Sequence, residues 1–347
     1  MIGTGRRLGV AAIATLAILT LMSTSAGASG TTPFSASCGA TPDDFGDQGT
    51  DMTNASESGL RAAHLPPRPE AGASPAQFKD WSSFVGGHRH FVAPVCTSLD
   101  AEDPGGPAST TASANDLYNG SNTSYNWAGY DATGRSFTYA EMTWTVPSVT
   151  EPGNLTVVSS IWPGLGTGNS SGDLLIQAGT EQDGALYLGS IVRKSYSTWW
   201  EAYPANKSQG LNIAISPGDT FYVQVGKTAS NVAYYYLANE TSGAWTSFTK
   251  SFAGSTILGK QADWIVERTK ACGVSCTFPS LNNFGRESLG TAQGYSGSSW
   301  FPLSSLTRNT FTMYDKAGTE LAYPTAIGTG GTTFNVQWLN YGNTDPA

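Results

Sequence analysis

From Tyr125 onward, apolar residues recur at every second position in short runs, and Gly, Pro, Asn, Asp or Ser breaks each run before a helix could close. Such runs stand at 137–146, 154–162, 174–180, 185–192, 198–203 and 211–216, and again at 220–225, 232–238, 244–252, 262–267, 311–314 and 333–339. They are rich in Val, Ile, Thr, Tyr and Trp, the residues that suit a pleated, half-buried surface. No stretch keeps a 3.6-residue period over three turns. So many short antiparallel strands point to an all-β domain, two sheets packed as a sandwich. No repeat period supports a propeller or solenoid. Charged residues are only 13% of the chain, and the net charge is -8 with a pI near 4.9. A nucleic-acid partner would need a basic face, which this balance denies.

The first residues read as an address. Arg6 and Arg7 precede an apolar run from Leu8 to Met22, followed by small residues with an Ala26-Gly27-Ala28 cleavage signal. This is the pattern of a secretory signal peptide over 1–28, too short to span a bilayer. A secreted protein with no membrane attachment after cleavage is expected. Residues 29–124 hold eleven acidic against four basic side chains and few apolar runs. They read as a weakly folded prosegment and linker, and 125–347 as the β domain. Four cysteines suit an oxidising compartment. Cys272 and Cys276, four apart around a glycine, form the expected local pair, leaving Cys38 with Cys96. No further zinc ligands stand near Cys272, so neither metal nor cofactor is expected.

All three histidines, His64, His88 and His90, precede the β domain. A Ser-His-Asp triad or a histidine zinc site within it is thereby excluded. With its cysteines oxidised, a thiolate nucleophile goes too. What remains is carboxylate chemistry, or binding without chemistry. Period two places Leu175, Gln177, Gly179 and Glu181 on one face and Leu174, Ile176 and Ala178 on the other. Trp199, Glu201 and Tyr203 likewise share a face, as do Asp263, Ile265 and Glu267. Carboxylate, amide and indole groups on one sheet face look like a binding cleft. An ordinary solvated sheet face stays open as the bland reading.

These segments resemble the glutamic peptidases of the G1 family, the eqolisins. The resemblance runs through Tyr125 to Tyr130, Thr143 to Pro147, Ser160 to Gly164, Leu175 to Gly179, Trp199 to Pro204 and Ala262 to Glu267, in order. It implies a sandwich of two curved antiparallel sheets, of the concanavalin A-like or lectin-like jelly-roll kind. It also implies acid endopeptidase activity on protein and peptide substrates by a monomer. Carried over by position, Gln177 and Glu267 would be the catalytic pair. Trp162, Glu181, Trp199, Glu201 and Tyr203 would line the cleft. The chain departs from the family at Gly166 and Ser197, where the family often has Asp, and at Glu181, a Glu for Asp.

Such a pair can hydrolyse a peptide bond. Glu267 would take a proton from water and return it to the leaving amine, and Gln177 would donate to the oxyanion. A lone carboxylate near its reference pKa of about 4.3 implies an acid optimum. The prosegment would then occupy the cleft near neutral pH and leave on acidification. Two rivals stand beside this reading. A carbohydrate-binding module would stack sugars on Trp199 and Tyr203. A glycoside hydrolase would pair Glu201 with Glu267.

Overall fold

The computed structural model of the chain describes residues 41–42, 49–98, 117–118, 121–150, 153, 155–168, 172–187, 191–272 and 275–347. The expected signal peptide and Cys38 lie outside them. Among the described residues, thirteen of the strands frame the β domain. They are β1 (Trp127–Thr133), β2 (Phe137–Thr145), β3 (Val157–Leu165), β4 (Leu175–Tyr187), β5 (Ile191–Tyr203), β6 (Thr220–Ala229) and β7 (Val232–Asn239). Then follow β8 (Ala244–Ser251), β9 (Ala262–Glu267), β10 (Arg286–Ser296), β11 (Thr307–Tyr314), β12 (Glu320–Pro324) and β13 (Phe334–Trp338).

Their pairing is antiparallel throughout and makes two sheets. Sheet I runs β8-β7-β6-β2-β10. Sheet II runs β5-β4-β3-β9-β1-β11-β12-β13-β10. One strand, β10, belongs to both: Arg286 to Leu289 pair with β13, and Gly290 to Ser296 with β2. The register shifts between Gly290 and Gln293, where Thr291 has a φ of 57°. A bulge there turns the strand from one sheet into the other.

Alternation explains the packing. Ala140, Met142, Trp144, Val223, Val225, Tyr235, Leu237 and Phe248 of sheet I meet Ile161, Ile176, Ala178, Trp200, Trp264 and Val266 of sheet II in one buried core. Buried polar tips cross that core to a partner on the other sheet. Trp264 Nε1 donates to the Glu141 carbonyl at 2.9 Å, Tyr235 Oη to the Glu201 carbonyl at 2.9 Å, and Trp144 Nε1 to Thr180 Oγ1 at 3.0 Å. These three aromatic side chains are thus buried with their donors paired.

Several boundaries differ from the sequence reading. The run at 185–192 straddles two strands, because β4 ends at Tyr187 and β5 starts at Ile191. Of 211–216, only Leu211 is in a strand. Cys272 and Cys276 are disulfide-bonded, and Cys96 is oxidised as well.

The N-terminal segment also differs. Residues 49–98 are not weakly folded. They form α1 (Glu57–Ala62) and α2 (Pro75–Val85). Ser74 and Gln77 close a reciprocal capping box ahead of α2, with Pro75 in its first turn. Leu60, Leu65, Trp81, Phe84 and Val85 pack on Tyr222, Tyr234, Tyr236 and Trp245, which point outward from sheet I. These described residues therefore cover the outer face of sheet I, not the face that carries Gln177 and Glu267. The physical reason is complementarity: α2's apolar side fits an aromatic sheet face that water would otherwise wet. Trp81 is fully buried and its Nε1 donates to the Pro66 carbonyl at 3.1 Å. Trp81→Ala is expected to cost about 3–5 kcal/mol and to open 49–98 to limited proteolysis ahead of the β domain. A digestion pattern unchanged from the wild type would contradict this docking.

Candidate functional site

The outward face of sheet II is built by register. Glu201 pairs with Gln177, Gln177 with Gly164, Gly164 with Asp263, and Asp263 with Asp131. These five residues make one row across β5, β4, β3, β9 and β1. Ser197, Glu181, Ser160, Glu267 and Trp127 make a second row on the same face. Between them Ile265 pairs with Trp162 and Gly179 with Trp199. The apolar members, Trp127, Trp162, Leu175, Trp199, Ile265 and Phe311, form their own cluster, with Tyr203 at its margin. The alternation predicted for all three site strands is what the structure has.

Glu267 sits in the most specific surroundings. Its Oε1 accepts from Asn126 Nδ2 at 2.9 Å and its Oε2 from Trp162 Nε1 at 2.7 Å. Ser124 Oγ donates to Asn126 Oδ1 at 3.0 Å, which fixes the amide with its N–H toward the carboxyl. Trp127 stands edge-on to Trp162, with ring centres 5.0 Å apart. Burial pushes the Glu267 carboxyl up to about 8, against the pull of the Trp162 and Asn126 hydrogen bonds. The expectation of an ordinary carboxylate therefore fails for this buried state, because desolvation outweighs the donors. Gln177 Nε2 donates to Glu201 Oε2 at 2.6 Å. Trp199 Nε1 donates to Ser160 Oγ at 2.9 Å.

The residues expected to line a cleft are buried. Trp162, Gln177, Glu181, Trp199, Glu201 and Glu267 are all 0% exposed in the full chain. Only Tyr203 keeps partial contact with solvent. Gly166 explains its own departure from the family pattern. Its φ is +108°, and an added Cβ would stand 1.8 Å from the Leu174 carbonyl oxygen, so no side chain fits. Ser197 pairs with Glu181, and a second carboxylate there would face the first.

Asn126, Asp131 and Trp127 were not singled out from the sequence. The signal for Asn126 was its place just ahead of a strand that pairs with Glu267. Asp131 and Asp263 are cross-strand partners. Desolvation raises Asp131 to about 6 despite its Asn309 hydrogen bonds, and raises Asp263 well above the usual range, with Asp131 adding to it. Among the described residues, no group of three or more His, Cys, Asp or Glu is placed to hold a metal ion.

A model of the peptidase A4 family matches residues 125–338. The chain belongs to that family. Scytalidopepsin B of Scytalidium lignicola is 27% identical over 164 residues, covering 46% of this chain and 58% of that protein. Aspergillopepsin-2 of Aspergillus niger is 26% identical over 200 residues, covering 51% and 66%. The match thus leaves a third or more of each curated relative uncovered. Among solved structures, scytalido-glutamic peptidase with a transition-state analogue inhibitor has a TM-score of 0.52 at 21% identity, over 62% of this chain and 98% of that one. That similarity is one of fold. The six segments read as resembling the family all fall within the matched range or touch its start.

The buried carboxyls set a stability profile. Glu267, Asp131 and Asp263 bind protons more tightly folded than unfolded, and burial raises Glu240 and Glu287 in the same sense. Their contribution is intact below the unfolded values of about 4 and is lost as pH rises through the folded ones. The melting temperature is expected to fall between pH 4 and pH 8. A melting temperature that climbs over that range would show that these carboxyls do not set the profile.

Proposed function

We propose that this chain is the precursor of a secreted glutamic endopeptidase in which Glu267 and Gln177 act on the peptide bond. One observation carries the reading: a carboxyl and a carboxamide stand buried on one sheet face, each already oriented by its own partner. The names of the relatives support it, and so does the inhibitor-bound fold neighbour. The two-sheet packing with an aromatic outward face supports the lectin-like sandwich assignment.

In the reaction, Glu267 takes a proton from water as the water oxygen attacks the carbonyl carbon. The Gln177 amide N–H donates to the oxygen that gains charge. The C–N bond then breaks, and Glu267 returns the proton to the departing amine. Glu201 accepts from Nε2 of Gln177 and so fixes which way that amide is turned. Asn126 and Trp162 hold both oxygens of Glu267 in place. Burial causes the high pKa of Glu267, so admitting water and substrate removes the cause. The working value then falls back toward the ordinary carboxylate range, and an acid optimum follows.

With an unfolded protein substrate, Glu267→Gln and Gln177→Ala are each expected to lower kcat by ~10²-fold or more while leaving the far-UV spectrum unchanged. Glu201→Gln offers the Gln177 amide a second amide instead of a carboxylate, and a fall of ~10-fold or more is expected. Rates are measured from pH 3 to 8. A maximum above neutral, or full activity in the Gln177→Ala variant, would refute the mechanism. Equal dependence on Glu201 and Glu267 with none on Gln177 would instead favour the glycosidase rival.

A further inference from the structure

The outer face of sheet I carries a second polar centre that the peptidase reading does not use. The Glu141 carboxylate is fully buried there. Tyr222 Oη donates to it at 2.7 Å, Gln224 Nε2 at 2.9 Å and Gln293 Nε2 at 2.7 Å. Gln224 and Gln293 are its cross-strand partners on either side. The sheet's register alone therefore brings these donors together. The remaining donor comes from elsewhere: both terminal nitrogens of Arg61, in α1, donate to the two Glu141 oxygens. The Arg61 guanidinium carbon also lies 4.0 Å from the centre of the Trp300 ring. A cavity of about 340 Å³ opens beside it, lined by His64, Leu65, Tyr139, Tyr234 and Tyr295 among others.

A two-pronged carboxylate contact under an indole platform suits a planar guanidinium and not a point-like ammonium. The sheet supplies the acceptor, the orienting donors and the platform. The N-terminal segment supplies the cation, with His64 and Leu65 beside it. We propose that Glu141, Tyr222, Gln224, Gln293 and Trp300 form a guanidinium-binding site, filled in cis by Arg61 and open to the arginine side chain of another peptide when Arg61 is absent. The ligand class is an arginine-bearing peptide. The site is independent of the Gln177 and Glu267 chemistry.

The test uses the full chain and thermal melts, with N-acetylarginine N-methylamide as probe. Arg61→Ala is expected to melt ~5 °C or more below the wild type. Millimolar probe should raise the Arg61→Ala melting temperature to a plateau and leave the wild type, already filled, unmoved. The citrulline analogue, isosteric but neutral, should give no shift, and the lysine analogue less than half. Arg61→Lys should melt between the other two, because it keeps the charge and loses the fork. Arg61→Ala/Glu141→Gln should not respond to the probe. Equal responses to arginine and citrulline, an equal response in wild type and Arg61→Ala, or an Arg61→Lys chain as stable as the wild type would each overturn the proposal.

Discussion

The setting of β3 between β4 and β9 is the constraint on which the site depends. Ile161 and Leu165 face the shared core, so Ser160, Trp162 and Gly164 face outward. A slip of one residue would drive the indole of Trp162 inward and expose Ile161. The inner apolar layer thus fixes the position of an outer polar one. Gly179 completes the fit: a Cβ there would meet the Ile161 carbonyl oxygen at 2.0 Å and the Trp162 Cβ at 2.8 Å. Trp162 reaches Glu267 because its neighbour strand leaves it that room.

Both outer faces of this sandwich place a carboxylate among amides and indoles, but they solve its burial differently. On sheet I, Glu141 meets a cation from another part of the chain. On sheet II, Glu267 accepts from the neutral donors Asn126 and Trp162, and burial outweighs them and the charge of Lys270, so its proton affinity shifts upward. The first solution makes a contact whose natural occupant is charged. The second stores a proton beside an amide, which is a starting point for acid-base chemistry. Gln177, Glu201 and Glu267 are fully buried on that face, whereas Ser197 and Tyr203 keep partial contact with solvent.

Much of this was legible in the sequence because one face of each site strand is apolar. Period two in 174–181, 199–203 and 262–267 placed Gln177, Glu201 and Glu267 correctly, since burial of Ile176, Trp200 and Trp264 leaves no alternative. β10 was illegible for the opposite reason. It changes sheets midway, so its Arg, Glu, Gly and Gln residues follow no single inside-outside pattern. The helices over sheet I carried a readable signal, the Ser74 and Gln77 capping box with Pro75. Acidic and proline-rich surroundings masked it. The upward shift of Glu267 was not legible, because it depends on burial from all sides and not on any neighbour along the chain.

The passage of β10 through both sheets bears on how the chain assembles. Sheet II needs strands from β1 to β13, so its closure awaits residues near 338. Such distant pairings are slow to form, because loop-closure entropy is lost before the contacts return it. Four of the strands of sheet I, β2, β6, β7 and β8, are by contrast present by residue 251, and the helices that cover its aromatic face precede them in the chain. During synthesis, residues 49–98 therefore emerge in time to shield that face while the second sheet still lacks its last strands.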